Sequence, residues 1–388
     1  MAAAEPSTQR AGRVSGQPTV TARPTWSDQL PRAWFFPLAV FAATWLLILA
    51  AWFGSDAIAG RSHRWTWHFL FKDANFYLSI AAHGYTGDPY KAAFFPVFPL
   101  LVRITGYLTG GDYAVAGLIV TVACGAASAV AVWLLAVRVC DRWVADRAVM
   151  LYCVFPGAMA LGMLYSEPLS VAIGAAALLA LLDRRWLLAG IIGAVGTAER
   201  PTLIVLAVVS GVAALQAIWT RREWQALLAP ALTPLGILAY FGYLGQRHHD
   251  YAYWFRLEKS GWNQQFDWGR HTVSVLLWLN PRDANHRVFV VVLTVMFAAA
   301  VAGIALMIAA RLPLPVTLFG ILTILLTVTS SAGDTRPRFV WAAFPLFIGA
   351  AAKLPRAVYW PVLVLSAAGL VFLLGGWPYH LIGRWTAP

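Results

Sequence analysis

The chain has 388 residues, of which 60% are hydrophobic and 12% are charged, whereas ordinary soluble domains have roughly 25% charged residues. Its 29 basic and 17 acidic residues cannot cover the surface of a soluble protein of this length, so the composition excludes a soluble globular enzyme and a disordered protein. The net charge of +12 would indicate a nucleic-acid partner only if the basic residues were clustered on one polar face. We therefore place the charge relative to a membrane and predict no nucleic-acid partner.

Residues 1–33 are polar, contain four prolines and lack an apolar period, which predicts a disordered cytoplasmic tail. Eleven apolar runs follow and predict eleven transmembrane helices. They lie at about 34–53, 113–137, 148–164, 168–182, 186–198, 201–219, 225–244, 287–310, 313–330, 339–352 and 357–376. The stretch 92–109 contains Pro96, Pro99 and Arg103, and we interpret it as a re-entrant or interfacial helix. Residues 34–388 thus form one predicted all-α domain with outer loops at 54–112 and 245–286.

The basic residues give the predicted orientation, because short cytoplasmic connections carry an excess of Lys and Arg. With the N-terminus inside, the short inside connections hold most of them. These are Arg138, Arg142, Arg147, Arg184, Arg185, Arg221, Arg222, Arg311, Lys353 and Arg356. The outside connections and the C-terminal tail hold Arg200, Arg336, Arg338 and Arg384. Counting 92–109 as a full span would reverse this bias.

The same topology places unusual charges at the outer boundary of the membrane, where a charge is costly unless it is paired or hydrated. They are Asp73, Asp88, Glu167, Glu199, Arg200, Asp334, Arg336 and Arg338. Their gathering on one side, from five loops, predicts a single outward-facing site. Asp73 has two interpretations: an N-cap of a short helix over 74–82, or a general base that takes a proton from a hydroxyl group.

Four ordered motifs carry a resemblance to a known family. They are Asp73-x-x-x-Tyr77-Leu78-x-Ile80-Ala81-x-x-Gly84-Tyr85 before Phe94-Phe95-Pro96, Tyr165-Ser166-Glu167-Pro168, Glu199-Arg200-Pro201-Thr202, and Arg336-Pro337-Arg338-Phe339 before Ala343-Phe344-Pro345. The set resembles the PIG-V-like family, which contains GT-C membrane glycosyltransferases that use dolichyl- or polyprenyl-phosphate sugars. It covers about 65–350. The sequence departs from the family at Lys72-Asp73, where members usually have Trp-Asp.

The resemblance implies a GT-C-like bundle and an inverting sugar transfer, most simply of mannose, from a polyprenyl-phosphate donor to a glycolipid or glycan acceptor. Asp73 would be the base, and Arg338, then Arg200 and Arg336, would bind the donor phosphate, since guanidinium groups match phosphate oxygens. Arg338 alternatively extends to lipid headgroups. Tyr77, in the first motif, would bind substrate, and Glu167 would bind substrate or pair with Arg200. Such enzymes generally act without a metal, and we predict no cofactor.

Further substrate contacts are predicted in the outer loops. Asp88 and Lys91 are substrate-binding candidates or ordinary loop charges, while Trp254 and Trp262 either stack on acceptor sugars or mark the membrane interface. The chain has three cysteines, each within or beside an apolar run, and three histidines near Asp73 in the sequence. Neither set fits a standard metal-ligand spacing, so we predict no metal site. The histidines are His63, His68 and His83.

Two other functions stay open at this point: a transporter or flippase of lipid-linked sugar, and a catalytically inactive partner in an envelope complex. A transporter should carry ionisable residues near the bilayer midplane, on repeated halves of the chain. The predicted charges lie at the outer boundary instead, and no repeat is visible. The composition, with 4 Lys and 25 Arg, is typical of a high-GC, actinobacterial protein, which would lie in the plasma membrane with its site facing the periplasm or outside.

Overall fold

A computed structural model describes residues 34–60, 66–70, 73–277, 284–331 and 336–375. These residues are almost entirely helical, and the β-pairing among them is an isolated bridge between Phe266 and Ser330. The predicted all-α architecture is therefore confirmed. The predicted disordered tail, 1–33, lies outside the described residues.

The first part of the chain contains one long helix and several short ones. They are α1 (Phe35–Ile58), α2 (Thr66–Phe69), α3 (Asp73–His83), a 3₁₀ helix (Pro89–Ala93) and α4 (Val97–Leu108). Asp73 begins α3, where a carboxylate interacts favourably with the unpaired N–H groups of the first turn. The 12-residue α4 rises about 18 Å, less than the roughly 30 Å of a hydrocarbon core.

The central helices pack against one another and carry two of the four motifs, those with Glu167 and Glu199, at their ends. They are α5 (Tyr113–Val139), α6 (Arg142–Val154), a 3₁₀ helix (Pro156–Leu161), α7 (Glu167–Leu182), α8 (Trp186–Glu199) and a 3₁₀ helix (Pro201–Ile204). Asp112 caps α5 by accepting hydrogen bonds from the N–H groups of Ala114 and Val115. Helix α7 packs between α5 and α8, so Glu167 and Glu199 lie at neighbouring helix ends.

The later helices follow in the same manner. They are α9 (Val205–Arg221), a 3₁₀ helix (Trp224–Leu227), α10 (Leu228–Leu232), α11 (Leu235–His248), α12 (Tyr253–Trp262), α13 (Arg270–Leu276), α14 (Ala284–Ala309), α15 (Leu314–Val328), α16 (Pro337–Ala342), α17 (Pro345–Lys353) and α18 (Arg356–Leu374). Helix α14 packs along α17.

Six helical stretches in the described part of the chain are long and apolar enough to cross a membrane. They are Phe35–Ile58, Tyr113–Val139, Pro201–Arg221, Trp224–His248, Val290–Ala309 and Arg356–Leu374. Three further predicted spans form shorter apolar helices, α7, α8 and α15. The chain is a polytopic membrane protein, but the predicted number of eleven spans is not established.

Two of the predicted spans are interrupted, and proline explains both interruptions. The run 148–164 ends as an α-helix at Val154 and continues as a 3₁₀ helix from Pro156. The run 339–352 is divided between α16 and α17, with Pro345 at the first position of the second helix. Proline has no N–H to donate and disfavours helical backbone in the residue before it, so an apolar run is not always one helix.

Gly157 lets the 3₁₀ helix Pro156–Leu161 approach α16, which carries Arg338. A Cβ atom at this position would overlap the carbonyl oxygen of Pro337 and press on Trp341. We predict that Gly157→Ala lowers the apparent unfolding temperature of the purified protein, because overpacking of a rigid contact costs about 1–3 kcal/mol. The matched variant Gly242→Ala, in α11, adds a methyl group to open space and should leave that temperature unchanged or slightly higher. Equal unfolding temperatures for the two variants would contradict this packing.

Candidate active site

Four charged residues from distant parts of the sequence form one continuous set of contacts, which we call the charged row: Asp73, Arg338, Glu167 and Arg200. Nη1 of Arg338 lies 3.3 Å from Oδ2 of Asp73 and 3.4 Å from Oε1 of Glu167. Nη2 of Arg200 donates to the same Glu167 oxygen at 3.0 Å. The row alternates in sign, so each charge is adjacent to an opposite one.

The middle of the charged row is buried and its ends are more accessible. The side chains of Glu167 and Arg338 are 2% and 10% exposed, whereas those of Arg200 and Asp73 are 19% and 23% exposed. Buried charges are tolerated when they are paired, which explains why the two interior members contact each other. Asp73 is therefore the member of the row that can best meet a polar molecule from outside.

Aromatic rings hold the two guanidinium groups in place. The Arg338 guanidinium lies 4.8 Å from the centre of the Phe339 ring and 5.1 Å from that of Tyr165. The Arg200 guanidinium lies 6.0 Å from the same Phe339 ring. Cation–π contacts of this kind stabilise a guanidinium group without using its N–H donors.

Arg338 keeps donors that the row does not use. Its guanidinium has five N–H donors, and one nitrogen, Nη1, makes both carboxylate contacts. Its Nε is buried and has no hydrogen-bond partner within the described residues. An unpaired buried donor is costly, so an anionic ligand that reached this nitrogen would be stabilised there.

A second layer of hydrogen bonds surrounds the row. The Tyr77 hydroxyl lies 3.0 Å from Oγ of Ser166, and Ser170 donates a 2.6 Å hydrogen bond to Glu199. Burial raises the pKa of the Tyr77 phenol above its usual value, so this group keeps its proton. Tyr77 is buried against Phe94 and Phe98, and its hydroxyl faces the start of α7 rather than solvent.

A pocket adjoins the Arg200 end of the row. It is lined by Glu167, Ser170, Val171, Arg200, Thr202, Leu203, Phe319, Thr323, Thr327, Phe339 and Ala342. Two charged residues lie in its wall, while α15 and α16 contribute mainly apolar and hydroxyl side chains. This mixed lining suits a molecule with a polar head and an apolar body.

The remaining predicted site residues lie outside the charged row. Asp88 is exposed and caps the 3₁₀ helix Pro89–Ala93 through the N–H of Tyr90, and Lys91 is buried with Nζ donating to the carbonyl of Thr86. These contacts hold the first outer loop, and a substrate role for either residue stays a prediction. Arg336 precedes α16, and its carbonyl accepts from the N–H groups of Phe339 and Val340. Asp334 and Lys72 lie outside the described residues.

The two predicted tryptophans pack from α12 onto the first outer loop. Trp254 donates from Nε1 to the carbonyl of Ala93 at 3.2 Å, and Trp262 lies against the rings of Phe76, Tyr90 and Phe94. Both therefore join the two outer segments. Their predicted stacking on sugar is not tested by these contacts.

The sequence interpretation did not single out Glu258, which the structure places near the row. It is half-buried on α12, and its carboxyl pKa is raised to about 7, first by burial and then by the negative charge of Asp73, while Arg200 acts in the opposite direction. The sequence does carry a signal for it, because Trp254, Glu258 and Trp262 recur at intervals of four on one helix face.

Metal ligation gains no new candidates from the geometry. The described ranges contain no group of three or more His, Cys, Asp or Glu side chains that could hold a metal ion. His68, one of the three histidines considered above, lies 2.9 Å from Asp56 and stacks on Trp52, and His63 is not among the described residues. The predicted absence of a metal stays a prediction.

The sequence matches no family model and no curated protein. The fold resembles solved structures of the oligosaccharyltransferase of Archaeoglobus fulgidus. Its apo form aligns with a TM-score of 0.50 and 14% identity over 91% of this chain and 57% of that one. The archaeal enzyme AglB in complex with an inhibitory peptide and a dolichol-phosphate aligns with a TM-score of 0.49 and 13% identity over 94% and 57%.

The likeness establishes the fold, not the activity, because identity is low and folds host many functions. This chain spans little more than half the length of the oligosaccharyltransferase. Together with the helix pattern, the comparison shows an integral membrane protein with a GT-C-like fold.

Proposed function

We propose that the protein is an inverting, PIG-V-like membrane glycosyltransferase that moves a sugar, mannose in the first instance, from a polyprenyl-phosphate carrier to a glycolipid or glycan acceptor. One observation carries the proposal. Each of the four motifs of the family resemblance contributes one member of the charged row, although the motifs lie far apart in the sequence. The row thus joins Asp73, which the resemblance assigns as base, to Arg338 and Arg200, two of the three arginines it assigns to phosphate binding.

The geometry supports different roles for the carboxylate and the guanidinium groups of the row. Asp73, the accessible carboxylate, takes the proton as the O–H bond of the acceptor breaks. The acceptor oxygen then forms its bond to the anomeric carbon, and the bond from that carbon to the phosphate oxygen breaks. The lipid phosphate leaves with the electron pair, and unused guanidinium donors of Arg338 and Arg200 stabilise its charge.

The pocket beside Arg200 accommodates the donor in this scheme. A polyprenyl phosphate has a charged head and an apolar chain, which matches a wall with Arg200 at one end and Phe319, Phe339 and Ala342 elsewhere. Carrier lipid reaches such a pocket from the bilayer, and no soluble nucleotide sugar is needed. The protein would lie in the plasma membrane of a bacterium with the row facing outward.

The test uses purified protein in lipid nanodiscs with labelled polyprenyl-phosphate mannose and a membrane lipid extract. We expect a labelled product whose new glycosidic bond has the anomeric configuration opposite to that of the donor, as shown by NMR. Parallel reactions with a polyprenyl-phosphate pentose identify the sugar. A product with retained configuration would contradict the mechanism.

The competing functions give different results in the same system. A transporter would move labelled lipid-linked sugar across a vesicle membrane without making product, and an inactive partner would do neither. If the folded protein transfers sugar from neither the mannose donor nor the pentose donor, the proposal is overturned.

A further inference from the structure

Helix α12 presents one face to the rest of the protein, and Glu258 lies in the middle of that face. Trp254 and Leu257 pack into a cluster with Phe95 and Tyr240, on α11 and the first outer loop. Trp262 and Gly261, one turn after Glu258, lie against the Tyr90 ring. Glu258 is the charged residue on this otherwise apolar inner face.

The face of α12 that carries Glu258 packs against α3. Trp262 follows Glu258 by four residues and therefore shares its face of the helix. The Trp262 ring lies 6.0 Å from that of Phe76, which is three residues after Asp73 on α3. The two helices are therefore in contact near Glu258 and Asp73, and the negative charge of Asp73 acts on the Glu258 carboxyl group.

The charges around Glu258 do not neutralise it. The ion pairs of the described residues do not include Glu258. On its own helix, Arg256 pairs with Asp250. Several other titratable groups lie on the elements packed around it, and Arg200 also acts on it electrostatically. They are Asp73, Tyr77 and His83 on α3, Tyr90 and Lys91 on the 3₁₀ helix, Tyr240, Tyr243, Arg247 and His248 on α11, and Tyr253 and Lys259 on α12. Lys91 is bound to the Thr86 carbonyl and Arg247 to Tyr243 and the Tyr85 carbonyl.

We propose that Glu258 forms the acceptor side of the transfer site, where its ionised carboxylate accepts a hydrogen bond from a hydroxyl group of the acceptor that Asp73 activates. This inference rests on the proposed sugar transfer. Asp73 and Glu258 lie on two helices that meet at Phe76 and Trp262, and the donor pocket lies at the other end of the row. A carboxylate beside a tryptophan ring is suited to a sugar, because the ring covers the apolar face and the oxygens bind hydroxyl groups.

The protonation state of the Glu258 carboxyl group should control acceptor binding near neutral pH. Its pKa of about 7 leaves the carboxyl largely protonated at pH 6 and largely ionised at pH 8. The ionised fraction changes about ten-fold between these values. We therefore expect the KM for acceptor to fall about ten-fold from pH 6 to pH 8, while the KM for donor stays constant.

The variant Glu258→Gln tests this directly, because glutamine has the shape of the protonated form but cannot ionise. Its KM for acceptor should match the wild-type value at pH 6 and stay there at pH 8, and Glu258→Asp should keep the pH dependence. Glu223→Gln, which alters an exposed ion pair with Arg184, is the matched control and should behave as wild type. Wild-type pH dependence in Glu258→Gln would overturn the inference, although the proposed transfer would stand.

A second measurement does not depend on activity. Infrared difference spectra of wild type and Glu258→Gln should resolve one carboxyl group that titrates near pH 7. In an Asp73→Asn background its midpoint should move to lower pH, because a neighbouring negative charge has been removed. An unchanged midpoint would show that the two carboxylates do not face each other and would overturn the inference even if no sugar donor were found.

Discussion

Replacing Arg338 with methionine is expected to reduce sugar transfer about 10²–10³-fold, the usual effect of removing a group that stabilises developing charge. The same change should lower stability by about 3–5 kcal/mol, because among the described residues it leaves the buried Glu167 with one guanidinium partner and Asp73 with none. The measurements are initial rates per folded molecule and the apparent unfolding temperature in nanodiscs.

A double variant separates the two effects of Arg338. Arg338→Met leaves the Glu167 carboxylate without one of its two guanidinium partners, and Glu167→Gln removes that negative charge. The double variant should therefore regain part of the stability that Arg338→Met loses. It should not regain activity, since the phosphate-binding donors are still absent. Recovery of transfer in the double variant would mean that Arg338 acts only by neutralising Glu167.

Arg147 provides a matched control for a buried arginine. It is 5% exposed, lies between the rings of Trp143 and Tyr359, and donates to the Leu354 carbonyl, away from the charged row. Arg147→Met should lower the unfolding temperature but leave the rate per folded molecule within about two-fold of wild type, since it touches no substrate. An equal loss of rate in both arginine variants would indicate a general effect of instability.

The charged row shows what a sequence of this kind can and cannot predict. Residue type and predicted membrane sidedness selected eight charges as one candidate site, because charges at a membrane boundary require partners. The family resemblance then drew attention to Asp73, Glu167, Arg200 and Arg338 among them. The pairing itself could not be predicted, since Asp73 and Arg338 are 265 residues apart and their contact depends on how α3, α7 and α16 pack.

Glu258 was overlooked for a different reason. Its segment is rich in aromatic residues and in charges of both signs, so composition alone does not distinguish the Glu258 carboxyl group from the other charged side chains around it. Only the helical interval of four shows that Glu258 lies on the inner face with Trp254 and Trp262. This interval is informative only if the segment is known to be helical. The sequence of so short a segment does not show that it forms the helix α12.

Hydropathy alone could not establish the number of spans, because it does not report backbone continuity. The runs 148–164 and 339–352 are apolar throughout, but Pro156 and Pro345 divide them into helices that end within the run. The second interruption helps to position Arg338. It gives α16 only six residues, Pro337–Ala342, which places Arg338 in its first turn, next to Asp73 and Glu167.

Replacing Asp73 with asparagine is expected to abolish measurable transfer, with a loss of about 10²–10⁴-fold for a general base. Asparagine keeps the size and the capping ability of aspartate, so the helix start should form and stability should fall little. The donor should still bind, because the guanidinium groups and the pocket are unchanged. The measurements are rate, donor affinity and unfolding temperature on the same preparation.

The control for this variant is Asp183→Asn, which is closely matched. Asp183 and Asp73 have side-chain exposures of 21% and 23%, and each contacts one arginine, Arg138 in the case of Asp183. Asp183 lies at the opposite end of α7 from the row, so its loss should leave transfer unchanged. If Asp73→Asn retains full activity, Asp73 is only the first residue of α3, and the proton acceptor must be sought among the other carboxylates near the row, which include Glu167, Glu199 and Glu258.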